Sequence, residues 1–223
     1  MSIHIIDSAV PSCTTAPAAP TSTVPSVLSD IYKPENNIAI WQRTVSNEMT
    51  QNIDQMLAAE PRLALVQSVM PDDAAQWVRS KLEGYACADA LSEDIALIVD
   101  MFCCLFDVKE AGLRLTHLDS PMCPRFHFDR VPCRLVTTYT GRATEWLKND
   151  AIDRTKLGAG SLGQPDHRSG LYDSETSIQQ MQPGDVAILK GSGWEGNENG
   201  GLVHRSPHVG QGERRLLLTL DVI

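Results

Sequence analysis

The chain has 223 residues, 42% of them hydrophobic, 21% charged and only 5% aromatic, a balance that supports one folded unit with a largely aliphatic core. The formal charge of −9 argues against a nucleic-acid partner, which needs a basic face, and against a polybasic membrane anchor. No apolar run approaches the roughly 18 residues of a membrane span. The six cysteines come without a secretory signal pattern at the N-terminus, so reduced thiols and a cytoplasmic location are expected.

Residues 8–29 (SAVPSCTTAPAAPTSTVPSVLS) are rich in Pro, Ala, Ser and Thr. Such a stretch buries too little apolar surface to offset its ordering entropy, and a disordered tail over residues 1–30, Cys13 included, is expected. A helical supporting region over residues 31–111 follows. Residues 37–42 (NIAIWQ) alternate like a short strand. Met49, Ile53, Met56 and Leu57 form one face of a helix over residues 45–60, which Pro61 stops. Residues 63–69 read as a strand. Asp72 and Asp73 favour the start of a helix whose apolar face holds Trp77, Val78 and Leu82, with Gly84 as its terminator. Ser92 is placed to cap a helix over residues 93–107. Its broad face of Ile95, Ile98, Val99, Phe102, Leu105 and Phe106 requires burial against a sheet. Cys103 and Cys104 inside it read as small buried hydrophobes rather than a redox pair.

After Gly112 the texture changes. Residues 113–118, 125–129, 134–140, 186–190 and 215–222 read as strands, separated by Ser120-Pro121, Gly141, Pro183-Gly184-Asp185 and the glycine-rich run over residues 191–201. Strands without intervening helices point to an antiparallel sandwich or jelly roll over residues 112–223. The expected fold class is therefore α+β, a jelly-roll core forming one structural unit with an N-terminal helical layer.

Cys-Pro-Arg-Phe-His-Phe-Asp-Arg, residues 123–130, carries the most chemistry. On a strand, His127 and Asp129 point to the same side and pair an imidazole with a carboxylate. A third metal ligand must come from a distant strand, and His204 is the best candidate, with His208 as the other. Two histidines and one carboxylate make a facial set suited to non-haem Fe(II), with coordination positions left open. His-x-Asp alone is a cheap pattern: His117-Leu118-Asp119 repeats it ten residues earlier.

The order of motifs resembles the Fe(II)/2-oxoglutarate-dependent dioxygenase superfamily. After His-x-Asp come a strand ending in a Thr/Gly turn (residues 134–147), the Pro-Gly-Asp hairpin, His204, and the basic pair Arg214-Arg215 ten and eleven positions on. Within that superfamily the sequence looks closest to a bacterial family labelled only as a domain of unknown function, sometimes associated with zinc-homeostasis genes. The resemblance implies a double-stranded β-helix, iron held by His127, Asp129 and His204, and 2-oxoglutarate as cosubstrate for oxidising a small-molecule or protein substrate. It implies an arginine for the distal carboxylate of 2-oxoglutarate, where a guanidinium fork fits best. Arg214 is the first choice and Arg215 the second, since neighbours on a strand face opposite ways, with Tyr139 or Thr137 adding a hydrogen bond. The Ser or Thr common two residues after that arginine is replaced here by leucine. The alternative is a non-catalytic Zn(II)-binding protein of the same fold.

Other patterns carry less. Cys123 and Cys133 flank the His-Asp pair without the spacing of a zinc knuckle. Gly158-Ala-Gly-Ser-Leu-Gly163 lacks the preceding strand and following helix of a dinucleotide site, and reads as a flexible loop. Trp194, in the glycine-rich run, is placed either to line the pocket or in an ordinary connection. Residues 149–180, with Asp166, His167 and Asp173, are too long for a simple connection and are expected to contact substrate.

Overall fold

The computed structural model describes residues 19–223. The expected tail lies outside these residues as far as position 18, as does Cys13. Beyond that point the expectation of disorder fails. Thr21–Ser22 form strand β1, and Pro25–Tyr32 wind into a 3-10 helix that buries Leu28 and Ile31. The few apolar residues of this segment are spaced to meet one surface, and contact with the core offsets an ordering cost that composition alone makes prohibitive.

Strand β2 (Ile38–Trp41) leads into helix α1 (Asn47–Ala59), where the Ser46 side chain accepts from the Met49 amide as N-cap and Ile53, Met56 and Leu57 are buried. Strand β3 (Ala64–Val69) and helix α2 (Pro71–Lys81) follow, the helix carrying Asp72 and Asp73 in its first turn and Arg79 and Lys81 in its last, as the helix dipole favours. Helix α3 runs over Ala88–Phe106, beginning five residues before the expected start. Ser92 is not its cap; the hydroxyl lies inside the helix and donates to the Ala88 carbonyl. Cys103 is buried in α3 but Cys104 is exposed.

The remaining strands are β4 (Ala111–Leu118), β5 (Cys133–Thr140), β6 (Glu145–Leu147), β7 (Ile178–Gln180), β8 (Val186–Lys190), β9 (Val203–Arg205) and β10 (Arg215–Val222). A large sheet has the order β1-β2-β8-β5-β10-β4-β3, and a small one the order β7-β6-β9. Apart from the parallel β1–β2 pair, all the pairings are antiparallel. From β4 onward the chain passes repeatedly from one sheet to the other, so that the large sheet collects β4, β5, β8 and β10 and the small sheet β6, β7 and β9. The architecture is a mixed α/β fold.

The main core lies between the helices and one face of the large sheet, where Ile95, Ile98 and Phe102 of α3 meet Leu113, Leu115, Leu135, Leu216, Leu218 and Leu220. A second apolar cluster, with Val136, Trp146 and Leu189, fills the space between the sheets. On β5, Tyr139 belongs to the helix-side core, and its hydroxyl donates to Asp94 Oδ2 at 2.7 Å, an oxygen that also accepts from Arg43 Nη2 at 2.9 Å. Tyr139 is therefore a core anchor facing away from the space between the sheets, not a cosubstrate contact. Cys133 and Leu135 face the same core, and strand alternation puts Thr137 with them. Replacing Tyr139 by Phe is expected to lower unfolding free energy by about 1–3 kcal/mol, the loss of a hydrogen bond to a charged acceptor that Arg43 still partners, and urea unfolding checks this.

Candidate metal centre

The expected strand over residues 125–129 reduces to one residue. Pro124 and Pro132 withhold amide donors at both ends, and only His127 pairs, in an antiparallel bridge with His204. The bridge is reciprocal: His127 N donates to His204 O at 3.0 Å, and His204 N to His127 O at 2.9 Å. On its other side His204 lies opposite Trp146 of β6, so the bridge adds His127 to the edge of the small sheet.

The side chains converge. One ligand atom each from His127, Asp129 and His204 fall within 4.8 Å of one another. His127 Nε2 is 3.9 Å from Asp129 Oδ1, and His204 Nε2 is 3.7 Å from Asp129 Oδ2. Each Nδ1 faces a carbonyl, that of Arg125 at 3.0 Å for His127 and that of Leu202 at 3.1 Å for His204. A carbonyl only accepts, so each Nδ1 carries the proton and each Nε2 keeps a lone pair toward the cluster. His204 is 9% exposed at its side chain and His127 36%, leaving the cluster open on the His127 side.

Burial pushes the His204 imidazole down to about 4, with Asp129 opposing the shift. It is therefore neutral at physiological pH, the state a metal ligand requires. In the unfolded chain the same ring takes up a proton near pH 6.5. The unfolded state thus binds more protons between about pH 4 and 6.5, and metal-free stability should fall as pH is lowered through that window. Denaturant midpoints across pH should show this slope in the native chain and lose it in His204→Gln.

Other expected groups do not join the cluster. His208 is exposed. His117 turns its Nδ1 to the Glu60 carbonyl at 3.1 Å, and Asp119 is exposed. Cys133 is buried against the helices, where desolvation pushes its thiol up to about 12, while Cys123 is exposed. The cysteine-containing zinc site is therefore absent among the described residues.

Of the two candidate arginines, Arg214 is exposed and Arg215 is 1% exposed. Leu216, Leu218 and Leu220 of β10 face the helices, which sends Arg215 toward the small sheet. Its Nε and Nη2 meet Thr138 Oγ1 at 3.3 and 3.1 Å, and Nη2 meets Thr144 Oγ1 at 2.8 Å. No carboxylate among the described residues pairs with it. Burial pushes its guanidinium down to about 10, leaving it charged at neutral pH. Of the expected pair it is Arg215, not the first choice Arg214, that faces the space between the sheets. The two threonines supply hydroxyls that the sequence lacks two residues after the arginine, where Leu217 stands. They come from β5 and from just before β6, which hides them in the sequence. Arg134 was also missed: its Nη1 donates to Asp129 Oδ2 at 2.9 Å.

The glycine run packs behind the cluster. A Cβ on Gly191 would sit 2.0 Å from the Val131 carbonyl oxygen, and one on Gly193 2.5 Å from that of Arg130, so only glycine allows this close approach. Ser192 N donates to the Asp129 carbonyl at 2.9 Å. Trp194 packs on Tyr32 and Phe106 instead of facing the cluster. Residues 149–177 contain several short helical turns, one of them over Gly158–Ser161, so the Gly-x-Gly-x-x-Gly stretch is a surface turn that buries Ser161 and exposes Leu162. Leu171 and Tyr172 cluster with Phe126, Leu147 and Val203, and Asp166 accepts from the Phe126 amide at 2.8 Å. His167 and Asp173 are exposed.

The family model described as "Protein of unknown function (DUF1826)" matches residues 22–221. The chain belongs to this family. No curated protein matches the sequence. Among solved structures, this DUF1826 chain resembles the Arabidopsis thaliana dioxygenase for auxin oxidation 1 in its 2-oxoglutarate binary complex, with a TM-score of 0.50, 12% identity and 92% of each chain covered. The corresponding rice dioxygenase gives a TM-score of 0.47 at 12% identity, over 84% of this chain and 73% of that one. At such identity the likeness is one of fold, and the DUF1826 chain has a fold similar to the Fe(II)/2-oxoglutarate-dependent oxygenases.

Proposed function

We propose that this chain is a non-haem Fe(II)- and 2-oxoglutarate-dependent oxygenase on a double-stranded β-helix. The repeated crossing of the chain between two facing sheets supports the jelly-roll reading, with His127 acting as a one-residue remnant of the strand between β4 and β5.

The donor set fits ferrous iron: two imidazole nitrogens with free lone pairs, one carboxylate and no thiolate. The observation that carries the cosubstrate is Arg215. A guanidinium buried between two sheets with only two hydroxyls for company lacks its counter-anion. A dicarboxylate reaching inward from the metal supplies one. Zinc storage has no use for such a cation, which favours the oxygenase over the metal-handling alternative.

In this reading His127, Asp129 and His204 hold the metal on one side and leave the His127 flank for substrate. Arg215 receives the distal carboxylate, and Thr138 and Thr144 orient its fork. Apolar residues between the sheets, Val136 and Trp146 among them, exclude water. When bound, iron supplies the redox chemistry by which 2-oxoglutarate and O₂ become succinate, CO₂ and an oxidised substrate.

The experiment loads the metal-free chain with Fe(II) or Zn(II) and follows succinate formed from 2-oxoglutarate under air. Iron-dependent succinate, even uncoupled from substrate, is expected. Tight zinc binding with no succinate under any loading overturns the reading.

A further inference from the structure

Asp129 does not stand alone. Arg134 on β5, Asp221 on β10 and Arg114 on β4 form with it a row of alternating charge across the large sheet. Arg134 gives Nε to Asp221 Oδ1 at 2.7 Å and Nη2 to Asp221 Oδ2 at 3.0 Å, and Arg114 Nη1 adds a contact to Asp221 Oδ2 at 2.5 Å. Arg134 reaches Asp129 through Nη1 alone, and at Oδ2 alone. No hydrogen bond reaches Asp129 Oδ1 from the described residues. The row is partly or fully shielded: side-chain exposure is 8% at Asp221, 16% at Asp129 and 23% at Arg134, against 50% at Arg114.

A planar guanidinium beside a carboxylate prefers to grip both oxygens with two parallel N–H bonds. Here the Nε–Nη2 edge makes that grip on Asp221, which fixes how the remaining edge meets Asp129. We propose that Asp221 is a positioning residue for the metal centre: by holding the guanidinium turned toward itself, it keeps Arg134 to a single bond on Asp129 and leaves one carboxylate oxygen available as a ligand. This rests on the reading of His127, Asp129 and His204 as metal ligands. It adds a condition that the ligand set does not contain, since the competitor for Asp129 is a residue of the same chain and Asp221 restrains it.

The test uses Co(II) alone on the metal-free full-length chain, read by calorimetry and by the visible absorption of the bound ion. Asp221→Asn should weaken Co(II) binding by about 10- to 100-fold, the usual effect of disturbing a group behind a ligand. The diagnostic variant is Asp221→Asn with Arg134→Gln. Removing the freed competitor should restore most of the lost affinity, and Arg134→Gln alone completes the cycle: a long-range charge effect raises affinity equally in both backgrounds, whereas the proposal expects the gain chiefly once Asp221 is gone. An Asp221→Asn affinity within twofold of native, or a double variant no tighter than the single one, overturns the inference while leaving the metal site standing. Should Asp221→Asn not fold, the double variant decides by itself: Co(II) affinity within about tenfold of native supports the proposal, and loss of binding overturns it. If the native chain takes up no Co(II), or His127→Ala takes it up equally well, the ligand assignment itself fails, and this inference with it.

Discussion

On the proposed function, replacing Arg215 by methionine is expected to make the ligand-free protein more stable and to remove most of its affinity for 2-oxoglutarate. The two effects have one origin. In the free protein the guanidinium is 1% exposed and meets only Thr138 and Thr144, so a full charge has left water without an opposite charge to receive it. An apolar side chain of similar length relieves that cost, and a gain of about 1–3 kcal/mol is expected in denaturant unfolding. With 2-oxoglutarate bound the sign reverses, because the distal carboxylate would then lack its partner. Losing one member of a buried charge pair costs about 2–5 kcal/mol, roughly 30-fold to several thousandfold in affinity. Calorimetric titration of 2-oxoglutarate into native and variant chains measures this. Unchanged affinity would place the carboxylate elsewhere. Arg214→Met, at an exposed position, should alter neither quantity appreciably.

The second large effect concerns the metal. A divalent ion that binds only the folded chain stabilises it by about 2.7 kcal/mol when present at a hundred times its Kd. A clear rise in melting temperature on adding Fe(II) anaerobically, or Co(II), is therefore expected. His127→Gln should abolish it, since a three-ligand site that loses one ligand drops in affinity by orders of magnitude. The side chain is 36% exposed, and its backbone bridge does not depend on the imidazole, so the variant should fold with nearly native stability in the absence of metal. His117→Gln, which removes the histidine of the other His-x-Asp copy, should keep the metal-induced shift. A shift retained in His127→Gln but lost in His117→Gln would reverse the choice between the two copies.

How far the sequence carries the reading depends on element length and on burial of both faces. Helices α1 and α2 show their apolar stripes and boundary signals in the sequence and appear within a few residues of expectation. Helix α3 starts early because Ala88 and Leu91 are buried along with the rest, which mattered more than a serine that looks like a cap. The three-residue strands β6, β7 and β9 are too short to alternate visibly, so the small sheet could not be read. The His-x-Asp spacing brought His127 and Asp129 to attention, but the strand assumed for it dwindles to a bridge, and the convergence on His204 is a product of tertiary pairing. The choice between Arg214 and Arg215 was legible in principle. Arg215, Thr219 and Asp221 recur at even spacing, opposite Leu216, Leu218 and Leu220, and that alternation assigns the polar side of β10. Matching the arginine to a spacing pattern passed over this cue. Arg134 was hidden for a different reason: its partners are five and 87 positions away, and only the sheet brings them together.

The mutual main-chain pairing of His127 with His204 reaches beyond ligand geometry. Two donors that lie 77 positions apart along the chain are fastened to each other before any ion arrives, so capture need not recruit a wandering loop or forfeit its freedom. On the proposed ligand set, such prior fastening lowers the ordering cost of capture and so adds to affinity without adding a contact.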